Sequence, residues 1–330
     1  MRYQSVLSTA PLRISFLGGG SDIASFYEKS PGAVVSAAID KYVYVHIKRH
    51  DPLFQERYRI SYSEIEHSYS RSEIRNDIVR SCLEYLEIDE PLQISTSADL
   101  PANSGLGSSS SFAVALLLGL HAMRGEEISP IQVAEEACKV EIEILKSPIG
   151  KQDQYAAAFG GLNFFNFSTN GSVNIEPLYL PNVDSGRLLE NIVLVWTGQS
   201  RKANVILADQ ATRSSENFIN LRQNVELAKN FKDNLLQPEL NWKALGELIR
   251  SGWELKKTLS PQISNAEINS IMSSLDNSGC LGYKLLGAGG GGFVLALMNS
   301  VTLDTLNILN KWSILRPNLD HMGARVVSLK

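Results

Sequence analysis

The sequence predicts an α+β or mixed α/β protein built as two domains. Strand-like and helix-like segments interleave in both halves of the chain. The chain has 330 residues, long for a single core, and 44% of them are apolar, enough for cores that need no disulfide or metal staple. A loop-like stretch, Ser168–Leu189, contains Asn170-Gly171, Pro177, Pro181 and Asp184-Ser185-Gly186 and reads as a waist. The division is placed at residues 1–175 and 176–330.

Leu12–Leu17 is a strand that runs into Gly18-Gly19-Gly20. Val34–Ile39 and Val43–Lys48 are β-branched and aromatic strands with a turn at Asp40-Lys41. Ser72–Leu86 places Ile74, Ile78, Val79, Cys82 and Leu86 at helical spacing. Leu92–Ser97 alternates like a strand and leads through a Gly/Ser-rich turn into the apolar helix Ser109–Met123. Ile131–Leu145 is an amphipathic helix opened by Ser129-Pro130, Gln154–Phe159 is a short helix, and Gly160–Phe167 is a strand. In the second half, Ile192–Trp196 is a strand and Lys202–Leu235 is polar and helical. Two amphipathic helices follow, Trp242–Leu259 and Ala266–Leu275. Strands Cys280–Leu286 and Phe293–Met298 flank the run Gly287–Gly292, and Ala324–Leu329 is the last strand.

Composition excludes several classes. The 31 basic and 35 acidic residues nearly cancel, so no basic excess points to nucleic acid. Cys82, Cys138 and Cys280 are far apart and form no CxxC pair, which suits reduced thiols in a cytoplasmic protein. The five histidines form no HExxH pattern. Polar residues Gln4, Ser5, Ser8 and Arg13 interrupt the N-terminus, unlike a signal-peptide core. The apolar run Phe112–Leu120 is too short to cross a membrane.

Three glycine-rich loops remain: Gly18–Asp22, Pro101–Ser111 and Gly287–Gly292. In any one of them a ligand-free turn is the simpler reading. The middle loop asks for more, because four serines after Gly105-Leu106-Gly107 lead straight into an apolar helix. One serine explains a cap. Four exceed that need, and small residues at the unpaired N–H groups of a helix start suit a phosphate. The segment is neither a P-loop, since Gly150-Lys151 is followed by Gln152, nor a dinucleotide fingerprint, since the third glycine is replaced by serine. Phosphoryl transfer to a hydroxyl also needs a metal ligand, a carboxylate at the acceptor and a cation. Glu141 or Glu143 suits the first role and Asp153 the second, although Asp153 also suits a helix cap. Arg13, inside an apolar strand, is costly unless it is paired or functional.

In three motifs taken in order, Ala10–Asp22, Pro101–Ser110 and Lys284–Gly292, the chain resembles the galactokinase, homoserine kinase, mevalonate kinase and phosphomevalonate kinase (GHMP) superfamily. The resemblance implies the GHMP kinase fold: an N-terminal ATP-binding domain (1–175) with a left-handed β–α–β unit, and a ferredoxin-like C-terminal domain (176–330), with the active site between them. It implies ATP and Mg2+. The nucleotide phosphates would lie over Pro101, Asn103, Ser104, Gly105, Leu106, Gly107, Ser108, Ser109 and Ser110. Ser109 would be the hydroxyl nearest the metal, with Glu141, twelve residues before Asp153, as the second ligand. Asp153 and Arg13 would be catalytic.

Arg-Ile-Ser-Phe-Leu-Gly-Gly-Gly-Ser-Asp at 13–22, followed by Gly150–Ala157 and Gly160–Asn163, is similar to bacterial D-glycero-D-manno-heptose 7-phosphate kinases. Galactokinases carry Gly-Glu-His-Thr-Asp where this chain has Gly18-Gly19-Gly20-Ser21-Asp22. The similarity implies a sugar phosphate held by Gly19, Gly20, Ser21, Asp22, Lys151, Gln152, Gly289 and Gly290 and phosphorylated at its anomeric hydroxyl. Lys151, Arg201 and Lys202 are the candidate cations for its 7-phosphate. An unphosphorylated, fucose-like sugar is the alternative substrate, and a binding-only member of the fold is the alternative class.

Overall fold

The computed structural model describes residues 1–181, 186–200, 214–302 and 307–330. Two sheets organise it. In the larger, β1 (Ser5–Leu17) pairs antiparallel along its length with β2 (Gly32–Arg49) and, near its start, with β12 (Arg325–Leu329). The long β2 then serves two partners. Its second half pairs with β5 (Leu92–Ala98), and its first half pairs with β6 (Leu162–Phe167). Strands β3 (Tyr58–Ser61), β4 (Ile65–Ser68) and β7 (Val173–Pro177) extend the edges. The smaller sheet contains β8 (Ile192–Trp196), β9 (Gly282–Leu285), β10 (Phe293–Leu297) and β11 (Ile314–Leu315) in the order β11-β8-β10-β9, every neighbour antiparallel. Numbered within that sheet the order is 4-1-3-2, that of a ferredoxin-like unit.

The helices are α1 (Ala24–Tyr27), α2 (Asp77–Tyr85), α3 (Ser108–Arg124), α4 (Pro130–Cys138), α5 (Gln152–Phe159), α6 (Gly186–Glu190), α7 (Ser214–Leu235), α8 (Trp242–Thr258) and α9 (Ala266–Asn277). Helix α3 is apolar nearly all round and lies across β1 and β2. Ser8 Oγ donates to the Ala115 carbonyl at 2.6 Å and Ser111 Oγ to the Pro11 carbonyl at 2.7 Å. Gly119 allows that approach, since a Cβ there would sit 2.7 Å from Ser8 Oγ. These contacts fix the start of α3 beside the middle of β1.

The structure corrects three details of the sequence reading. Asp40-Lys41 is no turn: β2 is one continuous strand, and the extra residues form a bulge where the register steps from Pro11↔Tyr42 to Leu12↔Ile39. Proline has no amide proton to give the ladder, so the irregularity falls where it costs least. Ile131–Leu145 is not one regular helix; α4 passes into a π-helical turn at Lys139–Ile144. The waist is not all loop but holds strand β7, and β12, near the end of the chain, returns to the first sheet. Of Lys202–Leu235, the described part is helical from Ser214; the rest, with Arg201 and Lys202, lies outside the described residues.

Among the described residues no helix is long and apolar enough to cross a membrane. The three cysteines are free and buried.

His121, near the end of α3, sits between Glu126 (2.6 Å) and Glu136 (2.7 Å). Burial alone disfavours its charge, but the two carboxylates outweigh burial and raise its pKa. The folded state therefore holds the proton more tightly than the unfolded chain, whose histidine titrates near pH 6.5. This stabilisation is complete below that pH and is lost as pH rises through the folded value. Thermal melts of His121→Gln should fall furthest below the parent at pH 5.5–6 and approach it in alkaline buffer; a gap that widens with pH would contradict the assignment.

Candidate active site

A cleft of about 630 Å³ opens where the two sheets meet, and all three glycine-rich loops line it. At its centre is Arg13. The residue is buried within β1, and its guanidinium donates from Nε to Asp153 Oδ1 and from Nη2 to Asp153 Oδ2, both at 2.7 Å. Nη1 donates to the Gly105 carbonyl, also at 2.7 Å. A two-toothed charged pair of this kind fixes orientation as well as position. Asp153 stands in the first turn of α5 and keeps part of its carboxylate open to solvent.

The serine loop reaches α3 through Gly107, which has a left-handed backbone (φ 79°) and no side-chain cap. A Cβ there would lie 3.2 Å from Asp153 Oδ2 and 3.4 Å from Arg13 Cγ, so the loop can approach the pair only with glycine. The four serines divide their tasks. Ser111 is bonded to β1, Ser109 Oγ donates to Glu141 Oε1 at 2.8 Å, and Ser108, Ser109 and Ser110 line the cleft at the first turn of α3. None is needed as a cap, which leaves the first-turn amides facing the cleft.

Glu141 comes from the π-helical turn. The wider turn places Glu141 inward, only 2% exposed, while Glu143 is exposed. Gln154 Nε2 holds the other oxygen, Oε2, at 2.7 Å. Burial pushes the Glu141 carboxyl above its ordinary range, against the bonds from Ser110, Ser109 and Gln154 that favour the anion. A hydroxyl and a carboxylate, both hard oxygen donors at a phosphate-sized loop, fit magnesium, which binds through one or two carboxylates plus phosphate oxygens and water. Among the described residues no cluster of three or more His, Cys, Asp or Glu is placed for a metal, so phosphate and water would complete the shell.

Asp22 closes the far wall. It is buried, and its carboxylate accepts from the Gly20 amide (2.9 Å), the Gln152 amide (3.1 Å) and Gln152 Nε2 (3.1 Å). Burial, with the nearby Asp153 adding to it, raises the Asp22 pKa despite those bonds. Gly150 passes so close that a Cβ on it would lie 1.9 Å from Asp22 Oδ2. Asn224 of α7 clamps the Gly18–Asp22 turn, accepting from the Gly18 amide and donating to the Gly19 carbonyl.

Most residues singled out in the sequence line this one cleft: Arg13, Gly19, Gly20, Asp22, Asn103, Gly105, Gly107, Ser108, Ser109, Ser110, Glu141, Gln152, Asp153 and Gly289. Six do not. Pro101 is exposed outside it, Ser104 is buried beneath it, and the Leu106 side chain is in the core while its carbonyl accepts from the Arg13 amide. Ser21 turns inward to the Gly18 and Ala33 carbonyls, and the Gly290 amide is held by Ile263. Lys151, expected at the substrate, instead donates to the Gly171 carbonyl at 2.7 Å with its ammonium over the Tyr27 ring. Those contacts satisfy the charge away from the cleft.

The cleft is also lined by two lysines to which the sequence reading assigned no role, Lys256 and Lys284, the latter opening the third glycine-rich motif. Both carried a signal. Lys284 sits in an apolar strand, as Arg13 does. Lys256 continues the buried face of α8 marked by Leu245, Ile249, Gly252 and Trp253.

The family model described as GHMP kinases N terminal domain matches residues 76–161, and the one described as GHMP kinases C terminal matches residues 229–305. The chain is 31% identical over 307 residues to a D-glycero-alpha-D-manno-heptose 7-phosphate kinase of Campylobacter jejuni, covering 88% of each protein. A bifunctional fucokinase/GDP-fucose pyrophosphorylase of Arabidopsis thaliana is 29% identical over 62% of this chain and 20% of that protein. Among solved structures, a D-glycero-D-manno-heptose 1-phosphate kinase from Bacteroides thetaiotaomicron superposes over 98% of this chain and 99% of that one, with a TM-score of 0.79 at 23% identity. The chain belongs to the GHMP kinase family and is an ATP-dependent phosphotransferase.

Proposed function

We propose that the protein transfers the γ-phosphoryl group of ATP to the anomeric C1 hydroxyl of D-glycero-D-manno-heptose 7-phosphate. The product, the 1,7-bisphosphate, would serve the synthesis of nucleotide-activated heptose and surface polysaccharide. The observation behind this reading is that two side-chain pairs line one cleft. Arg13–Asp153 stands where an acceptor hydroxyl would lie, and Ser109–Glu141 stands at the start of α3 where the nucleotide phosphates would lie. The likeness to the Campylobacter heptose 7-phosphate kinase supports the choice of sugar.

In this mechanism the open amides of α3 receive the phosphate chain. Ser109 and Glu141 would hold Mg2+, which would supply charge neutralisation at the phosphate oxygens. Asp22 and Gln152, with the Gly19–Gly20 backbone, position the sugar hydroxyls. Asp153 orients the C1 hydroxyl and accepts its proton late. An aspartate with a reference pKa near 3.9 is a weak base, but a loose transition state does not require early deprotonation. Arg13 holds the carboxylate in line, so much of its effect is positioning.

The fucokinase likeness favours a second reading, in which an unphosphorylated sugar is phosphorylated at the same carbon. ADP release with Mg-ATP decides between them over a panel of heptose 7-phosphate, free heptose, mannose, fucose and galactose. Preference for the 7-phosphate is expected; turnover of a free sugar alone would replace the substrate and keep the reaction. Asp153→Asn should lower kcat by about 10²–10⁴-fold, with nucleotide binding retained. Near-parental turnover would remove Asp153 from the chemistry. Ser109→Ala and Glu141→Gln should raise the magnesium concentration needed for half-maximal rate; an unchanged magnesium requirement would remove them as ligands.

A further inference from the structure

Lys256 and Lys284 reach the cleft from α8 and β9; Lys284 is buried and Lys256 half-buried. Among the described residues neither has a carboxylate within ion-pair distance. Lys284 Nζ donates to the Ser15 carbonyl at 3.1 Å and the Phe16 carbonyl at 2.7 Å, at the end of β1. Lys256 Nζ donates to the Leu285 carbonyl at 2.8 Å and to the Gly287 carbonyl. An ammonium has three donors and no acceptor. Each lysine thus spends two on backbone oxygens and keeps one.

Burying an ammonium without an opposing charge is costly. Here two lie close together and close to Arg13, whose own charge is matched by Asp153. Burial, with Arg13 adding to it, pushes Lys284 down to about 7 and moves Lys256 in the same direction. The other carboxylates of the cleft are engaged elsewhere, Glu141 by Ser109 and Gln154, Asp22 by Gln152 and the Gly20 amide, and Asp77 by Arg80. The place of the lysines matters too. Gly287 packs against Gly105, whose carbonyl accepts from Arg13, so Lys256 stands beside the serine loop and the Arg13–Asp153 pair.

We propose that Lys256 and Lys284 form a phosphate-receiving floor of the cleft, Lys256 giving its remaining N–H to a phosphate oxygen and Lys284 holding the end of β1 in place beneath it. This rests on the cleft being the site of phosphoryl transfer. The phosphate is either the transferable group of the nucleotide or the phosphate of the acceptor, and both offer the same dianionic oxygens. The floor supplies positive charge that no side chain of the serine loop can provide.

Calorimetric titration of the full chain distinguishes the two sources. Lys256→Met, about the same length without charge, is compared with the parent for four ligands: a non-hydrolysable ATP analogue, ADP, heptose 7-phosphate and free heptose. A charge-assisted bond to phosphate predicts a loss of about tenfold or more for one phosphate-bearing ligand, with its partner lacking that phosphate little changed. Loss on the ATP analogue but not ADP assigns the floor to the transferable phosphate, and loss on the heptose phosphate but not free heptose assigns it to the acceptor. Lys256→Arg should recover part of the affinity, which a purely structural role would not produce. Equal affinities for all four ligands in parent and Lys256→Met, with matching thermal melts, would overturn the proposal. If Lys256→Met does not fold, Lys256→Gln and Lys256→Arg carry the same comparison. Should the parent bind neither sugar, the reading of the acceptor fails by itself, and the ATP-analogue and ADP pair still decides the role of Lys256.

Discussion

The bidentate bond between Arg13 and Asp153 is the constraint on which the rest of the site depends. It joins parts of the chain 140 residues apart. A guanidinium in the middle of β1 is tolerable only if its charge and its N–H groups are met, and Asp153 with the Gly105 carbonyl meets them. The start of α5, the serine loop and the main strand of the larger sheet are therefore fixed relative to one another. Remove the carboxylate and a buried cation is left without its counter-charge. Remove the arginine and the carboxylate loses the two donors that set its direction.

Around that pair the structure is a set of close backbone approaches that side chains would prevent. Gly107 comes within contact of Asp153, and Gly105 and Gly287 meet so closely that a Cβ on the second would lie 2.5 Å from the first. The Phe293 amide donates to the Ser104 carbonyl, and Lys284 ties β9 to the end of β1. The loops of the two sheets thus interlock at the cleft. The glycines serve geometry first; the room they leave for phosphate follows from the same absence of side chains.

Much of this was legible in the residues. The three glycine loops, the costly Arg13 and the serines ahead of an apolar helix marked the cleft, because local chemistry at a helix start needs no knowledge of the partner. What was not legible depends on partners distant in sequence. Asp40-Lys41 reads as a turn until β1 is known to run past it, and only the paired strand turns the two residues into a bulge. The short strands β3, β4, β7 and β11 are defined by their neighbours rather than by their own pattern. The π turn that rotates Glu141 inward gives no periodicity distinct from a helix over so short a stretch. Lys151 looked like a substrate cation because its neighbours Gln152 and Asp153 are in the cleft, yet the Gly171 carbonyl and the Tyr27 ring draw it away. Lys256 and Lys284 were readable as charges on buried faces, the same signal that marked Arg13.

If Arg13 and Asp153 act as one unit at the acceptor hydroxyl, their contributions to turnover cannot be independent. A double-mutant cycle on kcat tests this, using Arg13→Met, Asp153→Asn and the combined variant, each checked for folding by its melting curve. The pairing predicts that the double variant is no slower than the slower of the two single variants, because either change already dismantles the unit. Losses that multiply, with the double variant slower than either by the full product, would contradict it.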